Sequence, residues 1–104
     1  MRILKLKRKN NLVRFDKKEI NNIMLIYSKK ISLGEWKDYS ILFREKYAQF
    51  NVYKSSYQEP IFIIFKSYIS SIRFSLKKNN FTIKKSNILG EILKELEKPK
   101  LKII

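Results

Sequence analysis

The chain has 104 residues, enough for one domain that buries roughly two thirds of its unfolded surface and too few for two independent domains. It contains neither cysteine nor histidine, which excludes disulfides, thiolate nucleophiles, imidazole bases and the usual zinc-ligand sets. A formal net charge of +15 implies strong nonspecific attraction to polyanions at low salt.

Residues 1–10 carry Arg2, Lys5, Lys7, Arg8 and Lys9 with no acid, alternating with Ile3, Leu4 and Leu6; a short edge strand and a basic arm fit equally. The segment lacks the continuous apolar stretch of a signal peptide. The longest apolar run, Ile61 to Phe65, is far too short to span a bilayer, so the expected protein is soluble and cytoplasmic. The remainder, 11–104, reads as a single domain.

Leu12-Val13-Arg14-Phe15 reads as a short strand leading into a helix. Asp16 at the N-cap and Glu19 three positions on form a capping box, and Phe15 with Ile20 makes the hydrophobic pair that fixes the approach of the chain. Ile20, Ile23, Met24, Tyr27 and Ile31 recur at helical spacing, widened by Leu25 and Ile26. Gly34 suits a left-handed stop, which predicts a helix over about 17–33.

Beyond the helix, Tyr39 to Arg44 alternates through Ile41 and Phe43. Glu45-Lys46 makes a turn, and Ala48, Phe50 and Val52 resume the alternation, predicting a β-hairpin. Pro60 closes a polar loop and opens Ile61-Phe62-Ile63-Ile64-Phe65, apolar at every position and expected at the middle of a sheet. Ile72, Phe74 and Leu76 alternate with Arg73, Ser75 and Lys77. Asn79-Asn80 can adopt positive φ, and Phe81 and Ile83 continue a second hairpin. Leu89, Ile92, Leu93 and Leu96 give a last helical stripe over about 87–97, capped by Ser86 or Asn87, stopped by Pro99, with Glu91 and Lys94 spaced for a surface pair. The expected fold is α+β: a mostly antiparallel sheet of about five strands with both amphipathic helices on one face.

Two surfaces carry candidate function. The turn Gly34-Glu35-Trp36-Lys37-Asp38-Tyr39 places an indole and a phenol at the end of the core. Trp36 there plugs the core, and a partly exposed Trp36/Tyr39 patch would anchor a protein partner or a second copy. Glu35 and Asp38 could form an acid/base pair, but capping and pairing with Lys37 and its neighbours explain them better, so no catalytic residue, cofactor site or metal site is assigned. The second surface is the sheet face turned away from the helices, with Arg44, Tyr47, Tyr53, Arg73, Lys77 and Lys84 expected on it. Tyrosines there would stack bases while cations hold phosphates, as single-stranded RNA or DNA requires.

Two facts weigh against that surface. The glycine-containing RNA-recognition pattern is missing, and 19 of the 24 basic residues are lysine with five arginines, as coding rich in A and T produces. The shortage of acids is not explained that way. The leading expectation is therefore a non-enzymatic protein-interaction or adaptor module, with nucleic-acid binding second.

The residues that open and centre the chain also carry a likeness. Val13-Arg14-Phe15-Asp16 with Glu19, then Tyr27, Gly34-Glu35-Trp36-Lys37-Asp38-Tyr39, Phe43, Ala48, Phe50 and Leu93-Lys94-Glu95-Leu96-Glu97 resemble the short alphaproteobacterial proteins classed as a domain of unknown function, with a VRFDRxEL start and a GEWRDY centre. The resemblance covers about residues 12–102 and fits poorly between Ser67 and Ser86. It implies kinship and carries over no activity, cofactor or partner.

Overall fold

The computed structural model describes residues 12–55 and 58–98. Helix α1, Lys17–Ser32, is followed by five strands: β1 Asp38–Phe43, β2 Tyr47–Tyr53, β3 Phe62–Ser67, β4 Phe74–Lys78 and β5 Phe81–Ser86. Helix α2, Leu89–Glu97, closes the order. The strands form one antiparallel meander, β1-β2-β3-β4-β5, with the apolar β3 in the middle as expected. The basic segment 1–10 and the Pro99 stop lie outside the described residues.

Local chemistry sets both ends of α1. Asp16 Oδ1 accepts the Glu19 N–H and Glu19 Oε1 accepts the Asp16 N–H, each at 2.8 Å, so two otherwise orphaned donors are satisfied reciprocally. At the other end Gly34 adopts φ +76°. Its N–H donates to Ile31 O and the Glu35 N–H to Lys30 O, both at 2.9 Å, which consumes carbonyls that the last turn leaves free.

Each strand alternates between a helix-covered face and an open one. Ala48, Phe50, Val52, Ile64, Phe74 and Leu76 point to the helices and join Ile23, Ile26, Leu89, Ile92, Leu93 and Leu96 in one core. α2 packs on β4 and β5 and touches α1 along its side. Six of the core positions, Ala48, Phe50, Val52, Ile64, Leu76 and Ile92, have no exposed surface, so β2, β3 and β4 form its floor and α2 covers it.

Several expectations need correction. Leu12 to Phe15 is not a strand: it contributes a single ladder-like bond, Val13 N–H to Arg44 O at 2.8 Å, while Val13 and Phe15 are buried. The stripe of α1 ends on Lys30, 6% exposed, and Ile31 turns outward; Leu25 is 67% exposed and takes no part in the core. α2 starts at Leu89 with Ile88 at the cap position and no side-chain cap. Ser86 Oγ accepts the Ile88 N–H at 3.0 Å and donates to Glu91 Oε1 at 2.7 Å, while Asn87 Oδ1 accepts the Arg73 N–H at 2.7 Å. Glu91 thus holds the β5–α2 junction.

The Asn79-Asn80 turn has the expected positive φ, 51° and 73°, but β4 and β5 slip by a residue between Leu76 and Lys77. Lys77 lies opposite Thr82 and Leu76 opposite Lys84, leaving Ile83 as the extra residue of a bulge. Phe81 and Ile83 are consequently exposed, at 74% and 42%.

Candidate functional site

The turn after α1 is built inward. Trp36 is 6% exposed, with its ring centroid 6.0 Å from Tyr27 and 6.0 Å from Phe62, so the indole closes the end of the core between α1 and β3. Tyr39 stacks on Phe50 at 5.1 Å and meets Tyr27 edge-on at 4.9 Å, keeping one side exposed. The expected exposed pair is thereby corrected: Trp36 plugs the core and Tyr39 alone faces solvent. Glu35 Oε1 accepts from Lys30 Nζ at 3.0 Å, and Asp38 Oδ1 accepts the Tyr39 N–H at 2.8 Å. Lys37 is exposed, and its N–H donates to Tyr53 O at 2.8 Å, continuing the edge of the sheet.

Burial, then the charge of Asp38 and Tyr39, raises the Tyr27 phenol above its usual range, so Tyr27 stays neutral against its neighbours. These contacts give the turn a structural task. Its two carboxylates are engaged separately, and among the described residues no three His, Cys, Asp or Glu side chains are gathered to hold a metal ion.

The open face gathers different groups. The Tyr47 and Phe65 rings meet edge-on at 5.8 Å, and Lys77 Nζ sits 5.1 Å from the Phe65 centroid. The expected place of Arg73 is corrected: where β3 leaves the sheet, its guanidinium lies 4.2 Å over the exposed Tyr68 ring, which is also 5.6 Å from Lys66 Nζ, so this pair sits at the sheet end toward the helix side and not on the open face. Down the middle of the face runs a chain of polar side chains. Gln49 Nε2 donates to Asn51 Oδ1 (2.9 Å), Asn51 Nδ2 donates to Ser40 Oγ (3.1 Å), and Ser40 Oγ shares a proton with the Tyr53 hydroxyl (3.0 Å). Asn51 is 4% exposed although nothing but its neighbours' side chains lies beside it in the ladder, because Gln49, Ser40 and Tyr53 crowd it. Tyr53 is therefore a half-buried member of a rigid network, and Tyr47 is the freer of the two tyrosines.

Arg44 is exposed at the β1–β2 turn, with its N–H bonded to Tyr47 O, and Arg73 precedes β4. Lys84 is corrected: the bulge sets it opposite Leu76, on the helix side, and Lys85, opposite Ser75, takes the open position. Sequence reasoning overlooked Phe65. β3 is apolar throughout and has no alternation to mark its faces; its antiparallel partners Gln49 and Ser75 identify the face of Phe65.

Ion pairs separate the two sides of the molecule. Among the described residues the pairs are Lys29–Glu97, Lys30–Glu35, Lys66–Glu19 and Lys98–Glu95, every one on the helical side or in its turn. None of them uses a base of the open face. No helix among the described residues is long and apolar enough to cross a membrane.

Comparison with known proteins adds one relationship. No curated protein and no solved structure matches the chain. The model of the family described as "Protein of unknown function (DUF2794)" matches residues 13–100, from the buried Val13 through the whole of α2, and the chain belongs to that family.

Proposed function

We propose that this is a non-enzymatic, cytoplasmic protein whose open sheet face binds single-stranded nucleic acid. The observation that carries the reading is the sorting of charge against aromatic surface. Tyr47 and Phe65 share one side with Arg44, Lys77 and Lys85, and the acids that pair with lysine lie on the other. Rings standing on a sheet can stack only on bases that are not already stacked in a duplex, which selects single strands. The described residues of the face offer no protruding helix or ribbon to enter a major groove. Catalysis has no support: histidine and cysteine are absent from the chain, and Glu35 and Asp38 are each tied to a different partner. The adaptor reading through the Trp36 turn loses its main anchor, because an indole already buried in the core has little surface left to give a partner.

The test is fluorescence anisotropy with labelled single-stranded RNA, single-stranded DNA and duplex DNA across a salt series. Lys77→Ala/Lys85→Ala and Lys17→Ala/Lys18→Ala lower the net charge equally, one on the open face and one on α1. Tyr47→Ala/Phe65→Ala removes the rings. Stacking is worth about 1–3 kcal/mol per base, so the ring variant should weaken single-strand binding about tenfold or more, with the open-face lysine variant similarly impaired and the α1 variant close to wild type. Equal losses from both lysine variants, with no effect of the rings, would reduce the binding to bulk charge and refute the platform.

A further inference from the structure

The outer edge of β1 is open to another strand. β1 pairs with β2 on one side and with no other described strand, and the segment before α1 passes over the helix side of the sheet, where Lys66 Nζ reaches Arg14 O at 2.8 Å. The ladder fixes the direction of the backbone groups. Arg44 N–H donates to Tyr47 O at 2.8 Å, so residues of that parity face β2, and Tyr39, Ile41 and Phe43 turn their N–H and C=O groups outward. The Tyr39 N–H is taken up by the carboxylate of its own neighbour, Asp38, at 2.8 Å. The two edges of the sheet are guarded unequally. β5 carries Lys84, Lys85 and the bulge at Ile83, devices that keep a further strand away. β1, Asp38-Tyr39-Ser40-Ile41-Leu42-Phe43, has no lysine and no proline, and its register with β2 is unbroken.

Charge selects the occupant. On a molecule of net charge +15 the stretch from Lys37 to Glu45 is neutral, with Lys37 and Asp38 at one end and Arg44 and Glu45 at the other. All four side chains are exposed, and none enters an ion pair among the described residues. Antiparallel pairing of this stretch with itself brings the two ends together. With the two-fold axis through Ile41, Tyr39 lies opposite the partner's Phe43, Ile41 opposite the partner's Ile41 and Asp38 opposite the partner's Arg44, with Lys37 and the partner's Glu45 next along. The residues whose backbone groups turn outward are then the ones that face each other. A register moved by two residues in either direction separates Asp38 from Arg44. The helix side of the edge is apolar: Tyr39 is 38% exposed and leans on Tyr27, and Ile31, one helical turn beyond Tyr27, is 36% exposed.

We propose that the chain forms an isologous dimer by antiparallel pairing of β1 with β1 of a second copy, centred on Ile41. Tyr39, Ile41 and Phe43 exchange backbone hydrogen bonds with the partner's Phe43, Ile41 and Tyr39. Asp38 gives up the Tyr39 N–H to the partner's Phe43 carbonyl and meets the partner's Arg44 on the open side, while Tyr39 packs against the partner's Phe43 on the helix side. The axis is perpendicular to the sheet, so the two open faces join into one surface, and the association itself requires no nucleic acid.

Sedimentation velocity of the full chain, free of nucleic acid, tests this over a concentration series reaching about 100 µM, at roughly 0.15 M ionic strength. Wild type should shift from monomer to dimer. Arg44→Asp opposes like charges at both ends of the junction and should weaken association by about tenfold, and Asp38→Arg/Arg44→Asp should restore it. Both positions are exposed, so both variants should melt close to the wild-type temperature. Amide hydrogen exchange should find the Ile41 and Phe43 N–H groups protected in concentrated protein and unprotected in dilute protein. A wild type that stays monomeric throughout the series overturns the proposal, as does an Arg44→Asp chain that dimerises as wild type does. So does a dimer whose Ile41 and Phe43 amides exchange as in the monomer, which would place the contact elsewhere, or protection of both amides already in the dilute monomer, which would make another segment of the same chain the occupant of the edge.

Discussion

Lys66 lies on the middle strand, on the helix side, at 4% exposure. Its Nζ donates to Glu19 Oε1 at 2.7 Å and to Arg14 O at 2.8 Å, tying β3 to the first turn of α1 and to the segment before it. Lys66→Met keeps the aliphatic stem and deletes the ammonium. Breaking a buried ion pair costs about 3–5 kcal/mol, because the remaining charge is left uncompensated. Glu19 retains the Asp16 N–H, and its side chain is 18% exposed, so water reaches it and the expected loss is smaller, about 2–3 kcal/mol. At about 4–8 °C per kcal/mol for a chain near this size, the melting temperature should fall by about 10–20 °C.

Calorimetry and urea unfolding of Lys66→Met, Glu19→Gln and the double variant measure both the loss and the coupling. The double variant should be more stable than the sum of the single losses implies, because neither charge is then buried alone. A Lys66→Met protein melting within about 3 °C of wild type would refute the assignment of this pair as the tie between helix and sheet.

The other expectations are smaller or simpler to read. Gly34→Ala should cost about 1–2 kcal/mol in urea unfolding; nothing lies within 4 Å of the added Cβ, so the whole cost is the left-handed backbone, and Gly34→Asn should lose less. Trp36→Ala should cost about 3–5 kcal/mol, and wild-type tryptophan emission should be blue-shifted and poorly quenched by iodide until the protein unfolds. Stability should fall under alkaline conditions. Burial pulls the Lys66 ammonium down, but its bond and proximity to the Glu19 carboxylate outweigh that and hold its pKa above the ordinary lysine value. Its contribution is therefore complete below about pH 10.4 and lost as pH rises through the folded value, and the raised Tyr27 phenol acts in the same direction from about pH 10. Urea midpoints from about pH 8 to 11 check this; a midpoint that stays level across that interval would contradict it.

Sequence legibility followed the range of the interactions. The capping box and the glycine stop of α1 involve partners within five residues, and both were readable because the chemistry that closes a helix is written beside it. Strand alternation gave the two hairpins for the same reason. Lys30 and Lys66 were not readable as core positions. Each becomes one only because a glutamate meets it, Glu35 across the Gly34 turn and Glu19 from a different element, and no hydrophobic pattern counts a lysine as buried. The misplacement of Lys84 has another origin. One unpaired residue, Ile83, reverses the parity of β5, and a bulge leaves no mark that Phe81-Thr82-Ile83-Lys84-Lys85 would betray.

Phe65 shows how the candidate site moved. A continuously apolar strand has no alternation to mark which aromatic faces outward, and register sets Phe65 on the open face with Tyr47, while Trp36 closes the core as expected of it and so leaves the interaction patch without its indole. Which face a residue serves bears on the charge as well. Coding rich in A and T raises lysine wherever the chain tolerates it, without regard to which face a codon serves. It does not arrange the acids. Six of the nine, Asp16, Glu19, Glu35, Glu91, Glu95 and Glu97, lie in the helices, their caps or the turn after α1, where four of them neutralise lysines; Asp38, Glu45 and Glu59 lie at a strand end, a hairpin turn and a loop. Lysine supply thus accounts for the size of the net charge, while the carboxylates that pair with lysine lie away from Tyr47 and Phe65. A relative with fewer lysines and the same distribution of acids would keep the basic face at a much lower net charge, and salt-dependent binding by such a relative is the comparison that separates the face from the composition.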